Sequence, residues 1–160
     1  MSNVILIGMP GAGKSTIGIV LAKVLGYDFL DSDLLIQKEE GKLLWQIMET
    51  EGTDGFNRIE ADRCVIATGG SVVYGQKAME HLRSIGTVIY LKVSCAILEE
   101  RLGDLTKRGV VFRPGQTLLD LYKERVPLYE KYVHITVNVG HKNVQKSVAA
   151  LEQALQDIIR

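Results

Sequence analysis

Gly8-Met9-Pro10-Gly11-Ala12-Gly13-Lys14-Ser15-Thr16 satisfies G-x-x-x-x-G-K-[ST] without a mismatch, and it follows directly on the apolar run Val4-Ile5-Leu6-Ile7. No other stretch constrains the chain as tightly. A continuous apolar run closed by glycine reads as a strand buried on both faces. Beyond the loop, Ile17, Val20, Leu21, Val24 and Leu25 recur at helical spacing until Gly26 stops the helix. In that strand–loop–helix context the glycines let consecutive backbone N–H groups wrap a phosphate chain, and the helix adds the positive end of its dipole. Gly8, Gly11, Ala12, Gly13, Lys14, Ser15 and Thr16 therefore form the candidate nucleotide-binding loop. Lys14 is expected to reach the β- and γ-phosphates, and the Ser15 hydroxyl to ligate Mg2+.

The rest of the chain repeats the alternation. Tyr27-Asp28-Phe29-Leu30-Asp31 reads as a second strand, residues 34–51 as helical with a break at Gly41, and Cys64-Val65-Ile66-Ala67-Thr68 as a third strand ended by Gly69-Gly70. A helix is expected over 76–84, a β-branched strand over Thr87–Val93, helices over Ala96–Leu102 and Leu118–Lys131, a strand over His134–Val139 and a last helix over Val144–Ile159. Residues 103–117 hold three glycines, a proline and several cations without a period, which predicts a mobile lid loop. Strands alternating with helices predict an α/β fold of three layers, α/β/α, with a mainly parallel sheet. The 160 residues suit a single domain. Ligands of such sheets bind at the carboxyl ends of the strands. Gly8–Thr16, Asp31–Asp33 and Thr68–Ser71 each follow a predicted strand, so these segments should converge on one edge.

Composition narrows the partners. Lys plus Arg and Asp plus Glu both total 19, so a neutral chain has no general pull towards nucleic acid or an anionic membrane. No apolar run is long enough for a membrane span. Met1-Ser2-Asn3 leads straight into the strand with no basic n-region or cleavage site. Cys64 and Cys95 have no second Cys or His at metal-ligand spacing, which suits free thiols in a reducing compartment. The expectation is a cytoplasmic monomer acting on a small molecule. His81, His134 and His141 show no catalytic spacing, and no N-K-x-D segment is present to read guanine.

Asp31-Ser32-Asp33 places two carboxylates at i and i+2, on the same side of an extended segment. Phosphoryl transfer needs a metal near the β/γ-phosphates and a group that orients or deprotonates the acceptor hydroxyl. One Asp can serve each need, although Asp and Ser are also good N-caps for a helix beginning at Leu34.

Taken in chain order, the glycine-rich loop, Asp31-Ser32-Asp33, Phe56 to Glu60, Thr68-Gly69-Gly70, Arg108 and Arg125-Val126-Pro127-Leu128-Tyr129 resemble the shikimate kinases over nearly the whole chain. The last segment matches a family R-x-P-L-Y pattern, which is more specific than the loop alone. The resemblance implies a P-loop NTPase fold and ATP-dependent phosphorylation of a shikimate hydroxyl, with ATP and Mg2+. It implies Asp33 as base and acceptor ligand, Asp31 beside Ser15 as metal support, and Arg125 as the anchor of the acceptor carboxylate. Arg101 is implied as a nucleotide contact and Arg108 as the lid arginine over the transferring phosphoryl group, with Arg113 the alternative. Gly69, Gly70 and Ser71 would line the acceptor site, and Trp45 lies in the region that covers it.

Three departures bear on the acceptor. The family pattern F-R-x-x-E is interrupted by Asn57, and the neighbouring Arg58 is turned by about 100° on a helix. The third consecutive glycine is replaced by Ser71, and only eight residues separate Glu60 from Gly69. They leave open a related kinase for another hydroxylated acid or a nucleotide, or a nucleotide-binding regulator without transfer activity.

Overall fold

The computed structural model describes residues 3–31, 63–102 and 115–159, with side chains to residue 157. Among the described residues, five parallel strands form one sheet in the order β2-β3-β1-β4-β5, with β1 Asn3–Ile7, β2 Asp28–Asp31, β3 Cys64–Ala67, β4 Gly86–Lys92 and β5 Ile135–Asn138. The expected parallel α/β sheet is present. Among the described residues, helices α1 Lys14–Leu25 and α5 Val144–Ile159 pack together on one side. Helices α2 Gln76–Ile85 and α3 Cys95–Leu102 each contact α4 Leu118–Tyr132, and α2 and α4 pack on β4. Central strands read as unbroken apolar runs because both faces are covered: all of β1 is buried, and so is β4 from Thr87 to Leu91. None of the described helices is long and apolar enough to cross a membrane.

Local chemistry sets the element ends. Gly26 closes α1 in the left-handed conformation, with its N–H turned back to the carbonyls of Ala22 and Lys23. Thr117 opens α4 with a reciprocal capping box: its hydroxyl accepts from Asp120 N, and the Asp120 carboxylate accepts from Thr117 N. Those backbone and side-chain hydrogen bonds hold the Asp120 carboxyl below its usual value. Leu118, Leu121, Arg125, Tyr129 and Tyr132 form the buried face of α4, at steps of three and four. At the amino ends of the strands, buried Asn3 joins two elements, donating from Nδ2 to Ile85 O (2.9 Å) and accepting at Oδ1 from Cys64 N (3.0 Å).

His134 has a structural task invisible to spacing arguments. Its backbone N–H donates to Val88 O at 2.9 Å, and its Nδ1 accepts from Val88 N at 2.9 Å. A ring nitrogen can accept only without a proton. Burial first, and then the Arg83 charge, lower the His134 pKa in the folded chain. The unfolded chain therefore binds this proton more readily than the folded one. The contribution is complete above about pH 6.5, the ordinary histidine value, and is lost as pH falls through the lower folded value. His134→Asn, whose Oδ1 can take the same N–H without titrating, should flatten this part of the stability curve. Parallel Tm–pH curves for the two proteins between pH 7 and 5 would refute the assignment.

Candidate functional site

The carboxyl ends of β2, β3 and β1 lie side by side in register: Asp31 pairs with Ala67, and Ala67 with Leu6. Thr68 ties them together, its N–H and Oγ1 both directed at Leu6 O (3.2 and 2.8 Å). The loop leaving β1 and the Thr68–Ser71 turn are thereby held on one edge, with the end of β2 beside them. Of the three segments expected to meet there, Ser32 and Asp33 lie outside the described residues.

The loop itself is a cradle of backbone. Gly13 is the N-cap of α1 at φ 97 and ψ 20, left-handed geometry that a side chain would strain. Ala12 N donates to Met9 O at 3.1 Å and closes the turn. The first N–H groups of a helix have no partner within it, so those of α1 supply donors for an anion at this end. Lys14 is buried, and its Nζ donates to Gly8 O (2.6 Å) and Met9 O (2.9 Å), which curls the side chain back over the loop. Ser15 and Thr16 are exposed, and Ser15 Oγ donates to Asp31 Oδ2 at 3.3 Å. A hydroxyl and a carboxylate this close are hard oxygen donors of the kind Mg2+ takes, together with water and phosphate oxygens. These residues fit the implied metal.

Arg101, at the end of α3, spans two loops: Nη1 donates to Gly11 O (3.1 Å) and Nη2 to Gly140 O (3.3 Å). It ties the phosphate loop to the turn after β5. That turn is built by Asn138, whose Oδ1 accepts from Gly140 N, and by Asn143, whose Oδ1 caps α5 through Lys146 N.

Opposite the loop lies Arg125, only 1% exposed. Burying a guanidinium is costly unless polar groups surround it. Here its Nε donates to Tyr74 Oη (3.3 Å), and its Cζ lies 5.3 Å from the centre of the Tyr74 ring. Nη1 points at Gly70: a Cβ there would stand 2.8 Å from it and equally close to Pro10 Cδ. Glycine at 70 is thus what lets the arginine reach the loop. One helical turn on, Tyr129 donates to Gly70 O at 2.6 Å and stacks on Tyr90 with ring centres 5.1 Å apart. Burial pushes the Tyr129 phenol well up, opposed by the Arg125 charge. Burial and then the hydrogen bond to Glu124 raise Tyr74, against the pull of Arg125.

Ser71 is buried, and its backbone sits at φ −91 and ψ 2 at the start of a 3-10 turn over Val72–Tyr74. Its φ is negative, in the bridge region that L-residues take at the third position of a type I turn, so the position does not require glycine. The sheet edge therefore carries Gly8, Gly11, Ala12, Gly13, Lys14, Ser15, Thr16, Asp31, Gly69, Gly70, Ser71 and Arg125, with Arg101 across the loop. Asp33, Trp45, Asn57, Arg58, Glu60, Arg108 and Arg113 lie outside the described residues, as do residues 103–114 of the lid loop expected over 103–117.

Two residues of the site escaped the sequence reading as individuals. Tyr129 was detectable, since it stands four residues after Arg125 on one helical face. Tyr74 gave no signal, because it is a half-exposed residue in a short turn whose partners lie 50 and 51 positions away.

A family model described as shikimate kinase matches residues 10–156. The chain is 38% identical over 157 residues to a shikimate kinase of Clostridium botulinum, covering 89% of this chain and 91% of that one. It is 37% identical over 142 residues to a shikimate kinase of Thermodesulfovibrio yellowstonii, covering 82% of each. The solved structure of shikimate kinase from Acinetobacter baumannii in complex with shikimate superimposes with a TM-score of 0.80 at 32% identity, covering 98% of this chain and 94% of that one.

Proposed function

This chain belongs to the shikimate kinase family, and from that membership we propose that it transfers the γ-phosphoryl group of ATP to a hydroxyl of shikimate, yielding shikimate 3-phosphate and ADP. The observation that carries the choice of acceptor is Arg125. Its guanidinium is buried, with Nη1 beside Gly70 and near Pro10 of the phosphate loop, and a carboxylate on the acceptor suits such a cation.

In this reading the loop N–H groups and Lys14 bind the phosphates, and Arg101 braces the loop beneath the nucleotide. Ser15 and Asp31 hold Mg2+, directly or through water. The metal, when bound, neutralises charge on the β- and γ-phosphate oxygens. Asp33 takes the proton of the acceptor hydroxyl as its oxygen bonds to phosphorus and the bond to ADP breaks. Arg108, or Arg113 if the lid register differs, closes over the transferring group. Gly69, Gly70 and Ser71 floor the acceptor site. Catalysis is mainly positioning and charge stabilisation. The enzyme works as a single-domain monomer in the cytoplasm, where ATP is supplied. Cys64 and Cys95 are both free thiols, which suits that compartment.

A coupled ADP-release assay with and without shikimate tests the reading directly. ADP release that depends on shikimate supports it. ADP release with another hydroxylated acid only would reassign the acceptor, and none with any acceptor would leave a nucleotide-binding regulator. Asn57 refines the expectation, because it stands where the family pattern has a second arginine. A hydrogen bond to a charged group contributes about 1.5–3 kcal/mol, so its loss should raise the shikimate KM roughly 10- to 150-fold. Asn57→Arg is expected to lower that KM and leave the ATP KM unchanged. A native KM already in the micromolar range would mean another cation fills the position.

A further inference from the structure

We propose that Tyr74 is a positioning residue for acceptor binding, orienting the Arg125 guanidinium and keeping the neighbouring Glu124 carboxylate from occupying it. The inference rests on the reading of Arg125 as the anchor of the acceptor carboxylate.

The geometry is a chain of three groups. Tyr74 Oη donates its single proton to Glu124 Oε2 at 2.6 Å and accepts from Arg125 Nε at 3.3 Å. The phenol therefore faces a carboxylate on one side and a guanidinium on the other. Its ring lies under the guanidinium, 5.3 Å from ring centre to Cζ. The ring face and the Nε bond both act on the orientation of the cation, alongside the Tyr129 phenol. With Nε directed at Tyr74 and Nη1 lying beside Gly70, the guanidinium is placed at the sheet edge, where the acceptor's carboxylate would arrive.

Glu124 gives the arrangement a second consequence. It is adjacent to Arg125 in the chain, but successive helical residues point about 100° apart, and Tyr74 Oη bridges that angle. Gln116 Nε2 also donates to Glu124 Oε2, at 3.4 Å, drawing the carboxylate towards the start of α4. Remove the phenolic oxygen, and Arg125 Nε and the Glu124 carboxylate each lose this partner and can pair with one another. An internal carboxylate would then compete with the acceptor's. Nothing in the sequence around Tyr74 suggests this. It follows from the turn Val72–Tyr74 packing on α4.

The test is steady-state kinetics on four proteins: native, Tyr74→Phe, Glu124→Gln and the double variant. Tyr74 is 43% exposed, and phenylalanine keeps the ring, so the fold should be retained. Tyr74→Phe should raise the shikimate KM about tenfold, equivalent to ~1.4 kcal/mol, with kcat and the ATP KM within about twofold, the signature of lost uniform binding. Adding Glu124→Gln should restore most of the shikimate KM, because the competing charge is gone. Glu124→Gln alone should leave it near the native value. A purely structural role for Tyr74 would not be reversed by removing a charge at 124. An unchanged KM in Tyr74→Phe, or a rise that Glu124→Gln does not reverse, overturns the inference while native shikimate turnover still stands. A native protein that turns over no shikimate overturns the functional reading, and this inference with it.

Discussion

Lys14→Ala should abolish most of the thermal stabilisation that Mg-ATP confers and lower kcat by about 100- to 1000-fold, the range found when one charge-stabilising donor is removed. Lys14 is the one cation embedded in the phosphate loop, with Nζ 2.6 and 2.9 Å from the carbonyls of Gly8 and Met9. A ligand that binds only the folded chain stabilises it by about 2.7 kcal/mol at a hundred times its Kd. For a chain of this size each kcal/mol moves Tm by about 2–4 °C, so the native protein should gain roughly 5–10 °C in saturating Mg-ATP. The substitution removes two hydrogen bonds to the loop, a cost of about 1 kcal/mol each, so the unliganded Tm should itself fall by roughly 4–8 °C. The informative quantity is the difference with and without nucleotide, read by scanning fluorimetry. A full nucleotide-induced shift in Lys14→Ala would mean that the loop does not bind phosphates through this lysine. No shift in the native protein would sink the kinase reading as a whole.

Asp33→Asn is expected to cost at least about 100-fold in kcat, the lower end for a positioned acid–base group, while the Mg-ATP stability shift survives. Asparagine keeps the shape of the side chain and removes its charge and most of its proton affinity. The two aspartates should separate cleanly in this experiment. Asp31 ends β2, in register with Ala67, and accepts from Ser15 Oγ, which puts it beside the phosphate loop. The two residues after it extend the chain by at most about 7 Å, towards the acceptor side by the functional reading. Near-normal turnover in Asp33→Asn would return Asp33 to a capping role. Loss of the Mg-ATP shift would place it with the metal instead.

Much of the site was legible because its parts are contiguous. Nine residues from Gly8 to Thr16 specify the phosphate loop, and the strand before it and the helix after it are announced by the run Val4–Ile7 and the helical spacing of Ile17 to Leu25. Arg125 could be singled out because R-x-P-L-Y is a local pattern. At Ser71, where the family pattern has a third glycine, the structure shows a negative φ of −91, which does not require glycine.

Across the described residues, the order of strands and helices was determined by the sequence alone, because doubly buried strands must be continuous apolar runs and helices must show their period whatever they pack against. Periodicity reports which face of an element is buried, but not what buries it. The sheet order β2-β3-β1-β4-β5 was therefore a tertiary decision, and everything that depends on it was settled there too. Arg101 reaches Gly11 and Gly140 across 90 and 39 positions. His134 serves as a backbone acceptor for Val88, a use no spacing rule encodes. Tyr74 comes to Arg125 only because its turn packs on α4. Such pairs are long-range polar contacts between side chains of ordinary local character, and their energy exists only once the packed layers have excluded water around them.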